Sequence, residues 1–241
     1  SVFGLASLSL AGLNGSAVES IEQEPSCKTI RLKGKQNSKV TQWDIITMGN
    51  LGRNRYWGES DDKSYRDTIC TCTLITGDGF RILVDPSVSD ATGMARELDR
   101  RTGVKPGDIT TVFLTHEHPD HYPGIAHFPD ARWLAAPAVA EILNKSGQLP
   151  RAIEGSTDLL FDTIKVIPTP GHTHAHHSLV FDCDGLRIVI AGDSVMTKDF
   201  FRERKGYRNS VDFELATKTM NMLAEMADII VPGHDNCFFN L

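Results

Sequence analysis

Residues 112 to 121 read Val-Phe-Leu-Thr-His-Glu-His-Pro-Asp-His, an apolar run that breaks off into three imidazoles and an aspartate. Val112 to Leu114 has the character of a buried strand, so its polar continuation emerges at a strand end, where loops converge on ligands. Such a concentration of imidazole is hard to account for as solvated surface. Imidazole nitrogen and carboxylate oxygen are ordinary ligands of zinc, and a catalytic site keeps a coordination position open for water. Around a tight loop His116 and His118, two apart, can point to one side, while the adjacent Asp120 and His121 point to a second centre. One loop can therefore seed two metal positions, and the fold has to bring further ligands to it.

Three later fragments offer them. Pro170-Gly171-His172 follows the apolar run Ile164 to Ile167, Gly192-Asp193 follows Ile188 to Ala191, and Pro232-Gly233-His234 follows Ile229 to Val231. Singly each is weak. Together they repeat one arrangement, a rigid strand delivering a ligand through a glycine turn.

The rest of the chain reads as alternating strands and helices. Strands are expected at Trp43 to Met48, Ile69 to Thr76, Phe80 to Val84, Asp108 to Thr115, Ala131 to Ala135, Leu159 to Ile167, Leu179 to Asp182, Leu186 to Ala191 and Ile229 to Val231. Gly77-Asp78-Gly79 marks a hairpin between the second and third. Helices are expected over Ala91 to Arg101, stopped by Gly103, over Ala138 to Lys145, and over the strongly periodic Asp212 to Met226. No internal repeat or linker interrupts this pattern, so one α/β domain is expected, with sheet layers flanked by helices. Its span is 41–241, after an amino-terminal extension, 1–40. In that extension residues 2 to 13 are apolar and small, too short to span a bilayer. They are similar to the apolar part of a secretory signal without its basic start, or form a short amphipathic segment packed on the domain. Cytoplasmic and exported locations both fit, and no other stretch approaches transmembrane length, so the folded body is expected to be soluble.

Lys and Arg number 25 against 31 Asp and Glu, a net charge of -6, and no long basic run occurs. Duplex nucleic acid, which usually requires a basic stripe, is therefore not an expected partner, whereas a small-molecule substrate is. Five scattered cysteines do not make a disulfide framework. Cys70 and Cys72 are expected as structural residues sharing one face of a strand.

The order His-x-His-x-Asp-His, then His, Asp and His resembles the signature of the metallo-β-lactamase superfamily, over roughly Asp44 to the end of the chain. The resemblance implies an α/β fold, the αββα four-layer sandwich, with the site on one edge between two sheets. It implies that His116, His118 and His172 hold one divalent metal, that Asp120, His121 and His234 hold a second, and that Asp193 bridges them. Asp85, in Leu83-Val84-Asp85-Pro86, resembles the partner that orients a ligand histidine, although Pro86-Ser87 departs from the family's usual Thr-Gly. Zinc suits the imidazole-rich centres best, and iron or manganese is compatible with the Asp193 bridge.

Two divalent cations sharing a hydroxide supply a nucleophile near neutral pH, and Asp120 is placed to serve as acid/base, so hydrolysis is the implied reaction. Asp193 and His234 lie only 41 positions apart, which excludes the nucleases that carry a large inserted domain there. With seven residues after His234, the carboxy-terminal domain of glyoxalase II-like thioesterases is not expected. Antibiotic-hydrolysing members typically have Cys or Ser where Asp193 stands. Gly171 to Thr173, His177 to Val180, Thr197 to Phe200 and Phe213 to Ala216 look like quorum-quenching lactonases, although Met196 replaces those enzymes' tyrosine. The expected activity is hydrolysis of a small ester, lactone or related carbonyl compound. The alternatives are a mononuclear iron persulfide dioxygenase, a β-lactam-hydrolysing or phosphodiesterase member of the fold, and a metal-stabilised binding protein. Tyr56, Trp57, Tyr122, Met196, Phe200 and Arg202 are candidates for the pocket wall. His174, His176 and His177 are read mainly as structural hydrogen-bonding groups, and His127 as a satisfied core or surface histidine.

Overall fold

The computed structural model describes residues 40–241. The signal-like run at 2 to 13 and Cys27 lie outside the described residues.

Two six-stranded sheets organise the chain. The first holds β1 (Val40–Thr47), β2 (Cys72–Gly77), β3 (Phe80–Val84), β4 (Thr111–Leu114), β5 (Arg132–Ala135) and β6 (Glu154–Gly155) in sequence order. β1 to β3 are antiparallel, with Asp78-Gly79 turning the β2–β3 hairpin, and β3 to β6 are parallel. Parallel neighbours need a crossover. α1 (Ala91–Thr102) lies between β3 and β4, and α2 (Pro137–Ser146) between β5 and β6.

The second sheet holds β7 (Leu159–Leu160), β8 (Ile164–Pro168), β9 (His177–Cys183), β10 (Leu186–Gly192), β11 (Ile229–Pro232) and β12 (Phe238–Phe239). Only β10 and β11 are parallel, and α3 (Lys198–Glu203) and α4 (Phe213–Met226) lie between them in sequence. Strand periodicity explains how this sheet is sandwiched. Leu179, Phe181, Ile188, Ile190, Ile229 and Val231 join one core cluster with Leu74, Ile82, Val112 and Phe113 of the first sheet. The alternating Val180, Val189, Ala191 and Ile230 pack with Phe201 of α3 and Ala216, Met220 and Leu223 of α4. α1 and α2 add Met94, Leu98, Val139 and Leu143 to the first of these clusters. The architecture is the αββα four-layer sandwich expected from the sequence.

Three local departures from the expected elements have physical causes. The run Leu159 to Ile167 is a hairpin, because Phe161 and Asp162 take left-handed φ values of 50° and 56° and turn the chain. β4 opens at Thr111, since Pro106–Asp108 forms a 3-10 turn in which the Asp108 carboxylate accepts the Lys105 N–H at 2.9 Å. Cys70 lies just outside β2, though it and Cys72 are both fully buried.

Candidate metal centre

Parallel strands in register end together, and their carboxyl ends gather the chemistry. In the first sheet Val84 pairs with Phe113, which brings Asp85 beside Thr115 at the root of the histidine loop. In the second, Gly192 pairs with Pro232, so Asp193 lies beside Gly233 and His234. The two sheets are tied at this edge by the His177 N–H donating to Thr115 O at 3.0 Å and the Thr71 N–H donating to Gly233 O at 2.6 Å.

Two clusters result. His116, His118, His172 and Asp193 form one, and Asp120, His121 and His234 the other, with the ligand atoms of each within 4.8 Å of one another. In the first, His118 Nδ1 lies 3.1 Å from His116 Nε2 and 2.9 Å from His172 Nε2. Asp193 presents Oδ2 to this cluster, 3.2 Å from His172 Nε2, and Oδ1 to the other, 3.2 Å from both His121 Nε2 and His234 Nε2. Asp120 Oδ2 lies 3.5 Å from His234 Nε2. Gly233 makes this placement of Asp193 sterically feasible, because a Cβ there would stand 1.9 Å from Asp193 Oδ1.

The rings are held from behind. His121 Nδ1 meets Asp85 Oδ2 at 2.9 Å, His234 Nδ1 meets Ile69 O at 2.9 Å and His116 Nδ1 meets Thr115 Oγ1 at 3.1 Å. Each contact turns Nε2 into a cluster, the outer arrangement that orients imidazole ligands on a metal. His121 Nε2 and Asp193 Oδ1 are buried without a hydrogen-bond partner. Nitrogen lone pairs converging at such distances repel one another unless a cation lies among them. A tetrahedral ion with bonds of about 2.0–2.1 Å to nitrogen sets its ligand atoms roughly 3.3 Å apart. The residues present therefore fit divalent metal at both clusters.

Burial pushes the imidazoles of His116 and His118 below their ordinary value, toward the neutral form that coordinates metal. Burial acts the same way on His121, but Cys70, Asp193 and Asp85 outweigh it and raise His121 well above that value. For Asp193 burial alone would raise the carboxyl, yet His234, His121 and His172 hold it well below the usual carboxylate range.

A cavity of about 140 Å³ opens over the clusters, with His118, Asp120, Asp193 and His234 at one side. Its other walls are Leu51, Gly52, Arg53, Thr68, Met196, Tyr207, Arg208 and Asn209. Of the expected wall residues Met196 lines it. Phe200 does not, being fully buried behind it against Tyr56 and Tyr207 at ring distances of 4.8 and 5.3 Å. Tyr56 and Trp57 sit outside the cavity, Trp57 donating to Asp199 at 3.2 Å. Tyr122 is buried and hydrogen-bonded to Gln148. Arg202 belongs to a separate surface hollow beside Phe238 and Phe239. His176 is buried with Nδ1 at 2.8 Å from Thr169 Oγ1, His177 Nδ1 meets Ala175 O, His127 Nε2 meets Ser89 O, and His174 is exposed. The walls that sequence reasoning missed come from two loops without periodicity. Their only shared signal is an Arg-Asn pair, at 53–54 and 208–209.

Residues 65–234 match the model of the metallo-beta-lactamase superfamily. The chain belongs to that superfamily and is a metal-dependent hydrolase. Metallo-beta-lactamase domain-containing protein 1 of Xenopus laevis is 30% identical over 173 residues, 67% of this chain and 69% of that protein. A hydroxyacylglutathione hydrolase of Xylella fastidiosa is 32% identical over 127 residues, 52% of this chain but only 45% of the relative. Among solved structures, the B. thuringiensis AiiA mutant with N-decanoyl-L-homoserine bound at its active site superposes with a TM-score of 0.62 at 20% identity, over 82% of this chain and 94% of that one. Among the described residues no helix is long and apolar enough to cross a membrane.

Proposed function

We propose that the chain is a binuclear hydrolase of a small ester, lactone or related carbonyl substrate. The observation that carries this reading is Asp193, whose two oxygens face two separate imidazole clusters. Bound divalent ions, zinc by the imidazole-rich donor set, would supply an activated water near neutral pH and polarise the substrate oxygen. His116, His118 and His172 with Asp193 would hold one ion, and Asp120, His121 and His234 with Asp193 the other. Asp120 lines the cavity and is partly solvent-accessible, so its carboxylate can take the proton of the attacking water and return it to the leaving oxygen. The balance is simple: water's oxygen joins the carbonyl carbon, the bond to the leaving oxygen breaks, and that oxygen gains the proton. Arg53, Tyr207, Arg208 and Asn209 give the cavity polar walls, and its volume favours a compact reacting group.

A panel of lactone, ester, thioester, β-lactam and phosphodiester substrates, assayed with metal quantified in the same preparation, tests the proposal. Two ions per chain with turnover of a lactone or ester are expected. One iron per chain with oxygen uptake would overturn it in favour of a mononuclear dioxygenase. Asp120→Asn is expected to lower kcat by roughly 10²–10⁴-fold.

A further inference from the structure

We infer that the Thr115 hydroxyl is a positioning group that ties the ligand histidines of both clusters to one carboxylate, Asp85. The inference rests on the binuclear reading above and adds a coupling between its two centres.

Asp85 is buried and has a left-handed φ of 51°, a conformation that is strained for a residue with a side chain and persists only when its surroundings hold it. Its N–H donates to Phe113 O at 3.0 Å, continuing the β3–β4 register one residue past β3. Its carboxylate is used on both oxygens. Oδ1 accepts the Thr115 N–H at 2.9 Å, while Oδ2 accepts the Thr115 hydroxyl at 2.8 Å and His121 Nδ1 at 2.9 Å.

Proton inventory sets the direction of this network. A carboxylate only accepts and a threonine hydroxyl has one proton to give, so that proton goes to Asp85. The Thr115 oxygen is then left to accept from His116 Nδ1, 3.1 Å away. The chain His116 to Thr115 to Asp85, met from the other side by His121, is unbroken. It gives both rings the tautomer that leaves Nε2 bare for its cluster. His116 belongs to one cluster and His121 to the other, so a single side chain anchors a ligand of each.

The surroundings leave no room for a substitute. Thr115 is fully buried, and a Cβ on Gly192, which precedes the bridging Asp193, would stand 2.8 Å from Thr115 Oγ1 and 2.9 Å from His176 Nε2. His176 also lies against the His116 ring, at 4.8 Å between centroids. A water cannot replace the hydroxyl in that space, whereas valine reproduces its shape without its hydrogen bonds.

Metal titration against a competing chelator, with zinc and with cobalt, tests the coupling in the full chain. Thr115→Val is expected to weaken the first ion's binding about 10–100-fold, the usual effect of losing such an outer partner. Thr115→Ser, which keeps the oxygen, should stay within about threefold of wild type. Asp85→Asn should weaken both sites, and in its background Thr115→Val should have clearly less effect, because the two share one network. Imidazole nitrogen NMR of the wild type gives a reading that needs no variant: the proton is expected on Nδ1 of both His116 and His121. Two ions in wild type with unchanged affinity in Thr115→Val, equal damage from Ser and Val, or a proton on Nε2 of His116 would overturn the coupling alone. A wild-type chain that takes up a single ion would overturn the binuclear reading and the coupling together.

Discussion

At the scale of single residues, the site depends on how closely groups approach. Gly233→Ala would drive a methyl into Asp193 Oδ1 and displace the carboxylate that faces both clusters. The expected outcome is loss of at least one bound ion per chain and of most activity, with far-UV circular dichroism unchanged. Cys70 makes a different prediction. Burial, partly offset by His121, pushes its thiol up to about 11. A thiol whose folded pKa is raised stabilises the fold fully below the unfolded value and loses that contribution as pH rises toward the folded one. Thermal unfolding of the metal-free protein should therefore show stability falling between about pH 8.5, the ordinary thiol value, and the raised one, with a shallower fall in Cys70→Ala. The residues of the two clusters were legible because each follows an apolar run at a strand end. Thr115 carried no such mark, since threonine between a strand and a histidine is an ordinary residue until the partners of its hydroxyl are known. Tyr122 and Phe200 misled for the opposite reason: an aromatic near a ligand in sequence can turn inward and become core.

Elements with a local signal were readable, and those defined by partners were not. α1 begins where Asp90 accepts the Gly93 N–H and ends at the left-handed Gly103, and α4 begins where Asp212 accepts the Leu215 N–H at 2.8 Å. These caps and the apolar faces behind them are visible in sequence. β6, β7 and β12 are two residues each and exist only through pairing, and α3 is a single short helix below the length at which periodicity speaks. The α4 cap also bears on the site. The Asp212 N–H donates to Gly171 O at 3.0 Å, and the Val211 N–H to His172 O at 3.2 Å. Asp212→Ala should lower stability by about 0.5–2 kcal/mol and, by loosening the turn that carries His172, weaken metal binding as well. Chemical denaturation and chelator competition on the same variant check both effects.

At the scale of the whole folded unit, each cluster draws its ligands from both sheets. His116, His118, Asp120 and His121 follow β4, while His172, Asp193 and His234 follow β8, β10 and β11. Each ion bound here should stabilise the fold by linkage, about 2.7 kcal/mol when free metal is a hundred times its dissociation constant. For a chain of this size that corresponds to roughly 5–10 °C in Tm for each ion, so chelation should lower the calorimetric midpoint by about that much per ion removed.

The same placement gives the metals a role like that of a cross-link. Each ion would close long chain loops, one running from the β4 loop to His172 and another reaching His234, and loop closure restricts a loosened chain more than a folded one. The seam between the two sheets should then be the last part of the molecule to open while loaded and the first once stripped. Hydrogen exchange at the Thr71 and His177 amides, which donate across the sheets at this edge, would register that reversal.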